Sequence, residues 1–238
     1  MKSIIKRLFR SLGIEISRYI PANSESAQLI KMLSEHDVNL VLDVGANTGQ
    51  FVKLLREVGY KNRIVSFEPL KKEWHHLIKE SKNDSLWDVA ERAAIGNIND
   101  EIDINISNNS QSSSVLNMLE AHSNAAPESR FIGVECVPLR TLDSLALDYM
   151  DSNTISFLKI DTQGYEDRVL EGAPKILEKI AGLQLELSLV PLYQDQSLYD
   201  ELIEKLTNKG FNLWAITPVF IDQNSGRLLQ FDATFFRD

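Results

Sequence analysis

The sequence predicts an α/β protein: an open, mostly parallel, doubly wound sheet with an antiparallel hairpin strand at its C-terminal end. Three observations carry this. Short apolar runs alternate with amphipathic stretches of helical period along most of the chain. One such run, LVLDVGANTGQF at 40–51, passes directly into a glycine-punctuated turn and a new helical pattern, the form of a ligand-binding strand, turn and helix. The last stretch, 211–236, reads as strands around the turn signal Asn224-Ser225-Gly226. No internal repeat is visible.

The elements follow in order. The first twenty residues set Lys2, Lys6, Arg7, Arg10 and Arg18 against the single acid Glu15, with Ile4, Ile5, Leu8, Phe9 and Leu12 at helical spacing. They predict a helix that either packs on the domain or rests on an anionic membrane surface or a partner. Ser24 or Ser26 caps a helix to about 35. Residues 1–35 therefore read as an N-terminal helical extension and 36–238 as the main domain. Residues 39–44 form a buried parallel strand, 48–58 a helix stopped by Gly59, and 63–67 a second strand closing on Glu68-Pro69.

A helix carrying Trp74, Leu77 and Ile78 comes next, then short strands at 87–90 and 93–95. Ile102, Ile104 and Ile106 alternate with polar residues, so that strand is half exposed, and 131–139 is its natural partner. Between them the polar stretch SNNSQSSSVLNM, 107–118, starts as a loop. Thr141 caps a short helix, and 155–160 is a strongly apolar strand ending at Asp161. Residues 166–177 are helical with an interruption at 172–174, 182–189 is a strand, and 197–209 is a helix stopped by Gly210. Strands at 211–216, 219–222 and 228–236 complete the chain.

Composition narrows the function. A net charge of −9 over 238 residues argues against a general nucleic-acid surface, which needs clustered Lys and Arg. No apolar segment is long enough to span a bilayer, and no signal-peptide h-region follows the basic start. The single cysteine, Cys136, excludes an intrachain disulfide framework and a cysteine-rich zinc site. The expectation is a cytoplasmic protein, in contact at most with the inner membrane surface through its first helix.

The turn after residue 44 selects a cofactor. It lacks the Gly-Lys-Ser/Thr of a phosphate-binding loop. It also lacks the third glycine spacing of a dinucleotide fingerprint, since Asn47 stands two after Gly45. Asp43 at the strand end would repel a pyrophosphate. It suits S-adenosylmethionine, which carries a sulfonium and an ammonium: unit charges about 4 Å apart interact by roughly 4 kcal/mol at an effective dielectric near 20, before desolvation. Gly45 lets the backbone pass under the amino-acid end, and Gly49 permits tight packing of helix on strand. Glu68, ending the next strand, is placed to accept two ribose hydroxyls. In VAERAAIGN, 89–97, Glu91 or Arg92 reaches the adenine edge and Ala93 leaves room for the ring.

The segment FLKIDTQGYEDRVLEGA, 157–173, delivers Asp161 to a strand end, with Gln163 beside it as donor and acceptor. Glu166 opens the next helix, where its charge suits the dipole. Methyl transfer to a hydroxyl needs alignment and a group to take the proton. Asp161 is the first candidate for that group, and Glu186, in LQLELSL, the second. The alternative use of these two acids, holding a divalent metal, has no tight ligand cluster behind it. Of the histidines, His75 and His76 read as surface residues, and His122 lies near the serine-rich loop.

The segments DVGANTGQF, IVSFEPL, AAIGN, SSSVL, LKIDTQGYEDRVLEGA, LELSLVPLY and GRLLQFDATFFRD, in this order over 36–238, resemble the FkbM family of methyltransferases. The resemblance implies a Rossmann-like methyltransferase fold, S-adenosylmethionine as cofactor, and O-methylation of a sugar, glycan precursor or related natural product. It implies cofactor contacts at Asp43, Gly45, Asn47, Gly49 and Glu68, and active-site roles for Asp161, Gln163 and Glu166. Ser113, Ser114 and Tyr193 then belong to the acceptor pocket, through hydrogen bonds and ring stacking. The competing readings are an NAD-dependent nucleotide-sugar oxidoreductase or epimerase, and a non-catalytic partner subunit with a methyltransferase fold. The acceptor and the oligomeric state are not encoded in these patterns.

Overall fold

The computed structural model describes residues 2–237, and the side chains of all of these except 2–5 and 8. Helices α1 (Lys2–Ser11) and α2 (Glu25–Glu35) precede strand β1 (Leu40–Val44). Then come α3 (Gln50–Glu57), β2 (Arg63–Phe67), α4 (Lys71–Ser81), β3 (Trp87–Val89), β4 (Ala94–Gly96) and β5 (Asp100–Ser107). A short α5 (Glu120–Ala125) leads to β6 (Phe131–Thr141), α6 (Leu142–Leu145) and β7 (Ser156–Ile160). The chain closes with α7 (Glu166–Glu171), α8 (Pro174–Lys179), β8 (Gly182–Ser188), α9 (Tyr199–Thr207), β9 (Asn212–Ile221) and β10 (Leu228–Phe236).

Seven strands form one sheet in the order β3-β2-β1-β7-β8-β10-β9. The first five are parallel; β10 runs antiparallel to both β8 and β9. This is the doubly wound, mostly parallel sheet with a C-terminal hairpin that the alternating pattern predicts. A second sheet, β4-β6-β5, stands apart from it. Within it β5 and β6 pair antiparallel, and β6 also holds β4 in parallel.

Local chemistry explains the boundaries. Ser24, not Ser26, caps α2: its hydroxyl accepts from the Ala27 N–H. Thr141 caps α6 through the Ser144 N–H. The helix after the first loop starts at Gln50 rather than 48, because Asn47 and Gly49 sit in the left-handed region at φ 47° and 79°. The stretches 211–216 and 219–222 are one strand, β9, running through Pro218. Proline is tolerated there because β9 is an edge strand.

The two faces of the main sheet differ. One is apolar: Leu42, Val44, Leu158, Ile160, Leu185 and Leu187 pack with α7, α8 and α9 in one core. On the other, Val41, Ile64 and Phe157 pack with α2 and α3 in a second core. Further along the strands that second face turns polar. Ser66, Asp43, Lys159, Gln184 and Thr234 stand side by side by register across five strands. This polar row positions the site.

Before α2 the chain is exposed, with Leu12, Ile14, Ile16, Tyr19 and Ile20 open to solvent. The side chains of Lys2, Ile4, Ile5 and Leu8, on which the amphipathic reading of α1 partly rests, lie outside the described residues. Among the described residues, no helix is long and apolar enough to cross a membrane. Cys136 is a free, exposed thiol on β6.

Candidate active site

A cavity of about 420 Å³ opens above the ends of β1, β2 and β7, within the range of small-molecule sites. Strand ends are where ligands bind in open α/β sheets. One end is lined by Gly45, Asn47, Glu68, Leu70, Ala93 and Ile95. The other is lined by Asp161, Gln163, Glu186, Gln230, His122 and Phe220. The segment 109–115 borders it, and it is an ordered turn: Ser107 N–H donates to Ser113 Oγ, and Ser112 N–H to Asn109 Oδ1.

The first loop is held tightly. Gly45 has φ 82°, and a Cβ there would stand 1.9 Å from the Asp161 carbonyl oxygen, so only glycine lets β1 and β7 end side by side. Glu68 is buried and accepts from the backbone N–H groups of Asn47 and Leu70, both at 2.8 Å. Burial raises its pKa to about 8, with those two bonds opposing the rise. The Asn47 side chain ties the loop to the 107–118 segment, donating to Ser110 Oγ at 3.1 Å.

At the other end, Gln163 organises two acids. Its Nε2 donates to Asp161 Oδ1 at 2.9 Å and to Glu186 Oε2 at 2.7 Å. Its Oε1 accepts from Tyr193 Oη at 2.8 Å, and its backbone carbonyl accepts from Ser114 Oγ at 2.7 Å. Carboxylates only accept, so the amide nitrogen must face them. Gln163 itself sits at φ 54°, in the left-handed region, held there by these partners. Gln230 gives Glu186 Oε2 a second amide donor at 2.8 Å. Burial first, then the charges of Asp161 and Asp232, push the Glu186 pKa well above the ordinary carboxylate range.

Lys159 is the residue the sequence reading missed. It lies on β7 two before Asp161, on the same face, and donates to Asp161 Oδ2 at 3.0 Å. Burial disfavours its charge, but Asp161 and Asp43 outweigh that and raise its pKa. The signal was present: a lysine and an aspartate at alternate positions of an apolar strand share one face. Gln230 was likewise hidden in the closing strand.

Several expected contacts are corrected. Asp43 does not line the cavity. It is fully buried, 4.0 Å from Lys159 Nζ, and accepts a long bond from Ser66 Oγ at 3.4 Å. Burial raises its pKa to about 6, with Lys159 opposing; it backs the lysine rather than facing a ligand. Gly49 packs instead of binding, its absent Cβ leaving room for Trp87 and Leu77. Glu91 is exposed and 3.9 Å from Arg140, away from the cavity, while Ala93 does line it. Arg92 is drawn off to Glu135 at 2.6 Å.

Glu166 braces its own turn, accepting from the Thr162 and Gly164 N–H groups, and burial raises its pKa to about 7. Tyr193 is wholly buried, so its ring cannot stack on an acceptor; its hydroxyl holds Gln163. Ser113 and Ser114 do line the cavity, yet both hydroxyls serve the fold. His122 lines the cavity as well; burial lowers its pKa to about 4, so the ring is neutral. His75 is exposed.

The residues fit an adenosyl cofactor. Glu68 brings a carboxylate to the cavity lining, and Leu70, Ala93 and Ile95 form an apolar wall beside it. The cation that lines the cavity, Lys159, is already paired with Asp161, so a pyrophosphate would meet acids without a free counter-charge. Among the described residues no His, Cys, Asp and Glu side chains converge as a metal-ligand group.

Comparison with known proteins agrees with the geometry. The methyltransferase FkbM domain model matches residues 43–213. The chain belongs to the FkbM methyltransferase family. The matched span of this FkbM protein runs from Asp43 to Leu213 and includes the cavity-lining residues except Phe220 and Gln230. No curated protein matches the sequence. Among solved structures, it is similar to a precorrin-6y C5,15-methyltransferase from Geobacter metallireducens (12% identity, 90% of this chain and 87% of that one, TM-score 0.46). It is also similar to an rRNA methylase from Streptococcus thermophilus (13% identity, 94% and 99% coverage, TM-score 0.45). A third is a SAM-dependent methyltransferase from Aquifex aeolicus (12% identity, 93% and 100% coverage, TM-score 0.43). Likeness at this level carries no inference about substrate.

Proposed function

We propose that this FkbM methyltransferase moves a methyl group from S-adenosylmethionine to a hydroxyl of a sugar, glycan precursor or related natural product. The observation that carries the reading is the pair Asp161 and Glu186, bridged by Gln163 at the end of the cavity away from Glu68.

When bound, the cofactor supplies an electrophilic methyl on a sulfonium. The chain's own groups do the rest. Glu68 accepts hydrogen bonds from the ribose. Asp161, oriented by Lys159 and Gln163, accepts from the acceptor hydroxyl and aligns it. Glu186 takes the proton as the new bond forms: burial and the neighbouring charges of Asp161 and Asp232 raise its proton affinity. The polar partners of the two acids, Lys159, Gln163 and Gln230, favour a hydroxylated acceptor over an apolar one.

The test is calorimetry with S-adenosylhomocysteine and transfer of a labelled methyl to hydroxylated acceptors. Micromolar binding is expected. Glu68→Ala weakens it about tenfold or more, whereas Asp161→Ala and Glu186→Gln leave binding within about threefold and abolish turnover. Undiminished turnover in both of the latter variants removes the assignment.

A further inference from the structure

A second crevice opens on the same polar sheet face, with Phe51 forming a wall of both spaces. It has a volume of about 510 Å³ and lies between β8, β10 and β9 on one side and α2 with the segment before it on the other. Its sheet wall is Gln184, Thr234, Asp232 and Thr217; Tyr19 and Gln28 face it across the opening. Leu29, Met32 and Leu54 supply an apolar floor. Among the described residues no lysine or arginine lines it.

Strand register joins this crevice to the acids of the first cavity. Asp161 and Glu186 continue the pairing of Ile160 with Leu185; Glu186 stands opposite Asp232, and Asp232 opposite Thr217. Directly opposed residues on neighbouring antiparallel strands are about 5 Å apart. One row of side chains therefore runs from the first site into the second, a distance of two strands.

The polar groups that line the crevice keep hydrogen-bonding capacity in hand. No hydrogen bond reaches the Asp232 carboxylate among the described residues; the charges that bear on it are those of Lys159, Asp161 and Glu25. Gln184 is buried and donates only a long bond to Thr234, at 3.3 Å. A carboxylate, an amide and two hydroxyls beside an apolar floor and a tyrosine rim match a sugar ring: its hydroxyls donate and accept, and its C–H face lies on carbon. A phosphate would meet Asp232 and Glu25 with no cation.

We propose that this crevice is a glycan subsite that holds the sugar next to the one methylated. The proposal rests on the O-methyltransferase reading of the Asp161–Glu186 site. It makes the enzyme selective for oligosaccharides over single sugars, because the second ring adds contacts the first cavity cannot provide.

The probe is a glycan array running from monosaccharides to hexasaccharides. One arm reads binding of protein saturated with S-adenosylhomocysteine; the other reads transfer of a labelled methyl. Wild-type protein is expected to favour oligosaccharides over monosaccharides by about tenfold in both arms. Thr217→Trp, which fills the crevice from an edge strand, brings that ratio to about one, and Tyr19→Ala, at the exposed rim, lowers it. An unchanged ratio in Thr217→Trp, no chain-length preference in the wild type, or no glycan retained in either arm overturns the subsite. Length-dependent binding that Thr217→Trp abolishes, with no label on any sugar, upholds the crevice and sinks the O-methyltransferase reading instead.

Discussion

Asp161 and Glu186 are tied together by a single amide, with Gln163 Nε2 2.9 Å from one carboxylate and 2.7 Å from the other. Both hydrogens of that nitrogen are used, one on each acid. Without it, two neighbouring carboxyl groups would meet with no donor between them. Gln163→Leu is therefore expected to lower kcat by about 100-fold while leaving S-adenosylhomocysteine affinity within about threefold. Single-turnover rates and calorimetry on the same preparation check both halves; a loss confined to cofactor affinity would move Gln163 out of this role.

Tyr193 acts through Gln163 rather than on an acceptor. Tyr193→Phe leaves the Gln163 amide oxygen without its 2.8 Å donor, which costs about 1–2 kcal/mol of stability. The amide is then free to turn, so kcat falls more than KM rises. A change in KM alone would restore the ring-stacking role that burial of Tyr193 now contradicts.

Stability should fall as pH rises from about 4.5 to 8. Burial raises the pKa of Asp43 to about 6, of Glu166 and Asp232 to about 7, and of Glu68 to about 8. Over that window the folded chain holds more protons than the unfolded one, so the slope of stability against pH is negative. The stabilising contribution of the protonated forms is complete below the unfolded pKa values and gone above pH 8. Thermal unfolding measured from pH 5 to pH 8.5 is expected to show a declining Tm; a rising Tm would contradict the assigned burial of these acids.

Gly45→Ala tests the contact between β1 and β7. The new Cβ would lie 1.9 Å from the Asp161 carbonyl oxygen at φ 82°. Backbone must shift, at a cost of about 3 kcal/mol or more from steric overlap and left-handed strain. The variant is expected to unfold several degrees earlier and to lose cofactor binding. Gly226→Ala is the control: its φ is also positive, at 72°, but nothing lies within 4 Å of the added atom.

The exposed segment before α2 predicts a surface property. Leu12, Ile14, Ile16, Tyr19 and Ile20 are open to solvent, in a stretch that also carries Lys6, Arg7 and Arg18. Binding to vesicles of phosphatidylglycerol and phosphatidylcholine is expected at low salt, weakened by salt and by Leu12→Asp with Ile14→Asp. Equal sedimentation with pure phosphatidylcholine vesicles, or none with either, would exclude an anionic bilayer as the partner of this segment.

By itself the sequence determined most of the order of strands and helices, though not α5 or the continuity of β9, and with it the glycine turn at Gly45, Glu68 at one strand end and Asp161 at another. These depend on short-range rules: apolar period, capping hydroxyls and left-handed turn positions all act within a few residues. The alternation in LQLELS was equally legible, and it placed Gln184 and Glu186 on one face of β8. Only the tertiary structure decided that this face meets Lys159, Asp161 and Asp232 in adjacent rows. Register between strands far apart in the chain set that, and no local pattern encodes it. The same long-range packing buried Asp43 and Tyr193, turning expected ligand contacts into supports for Lys159 and Gln163.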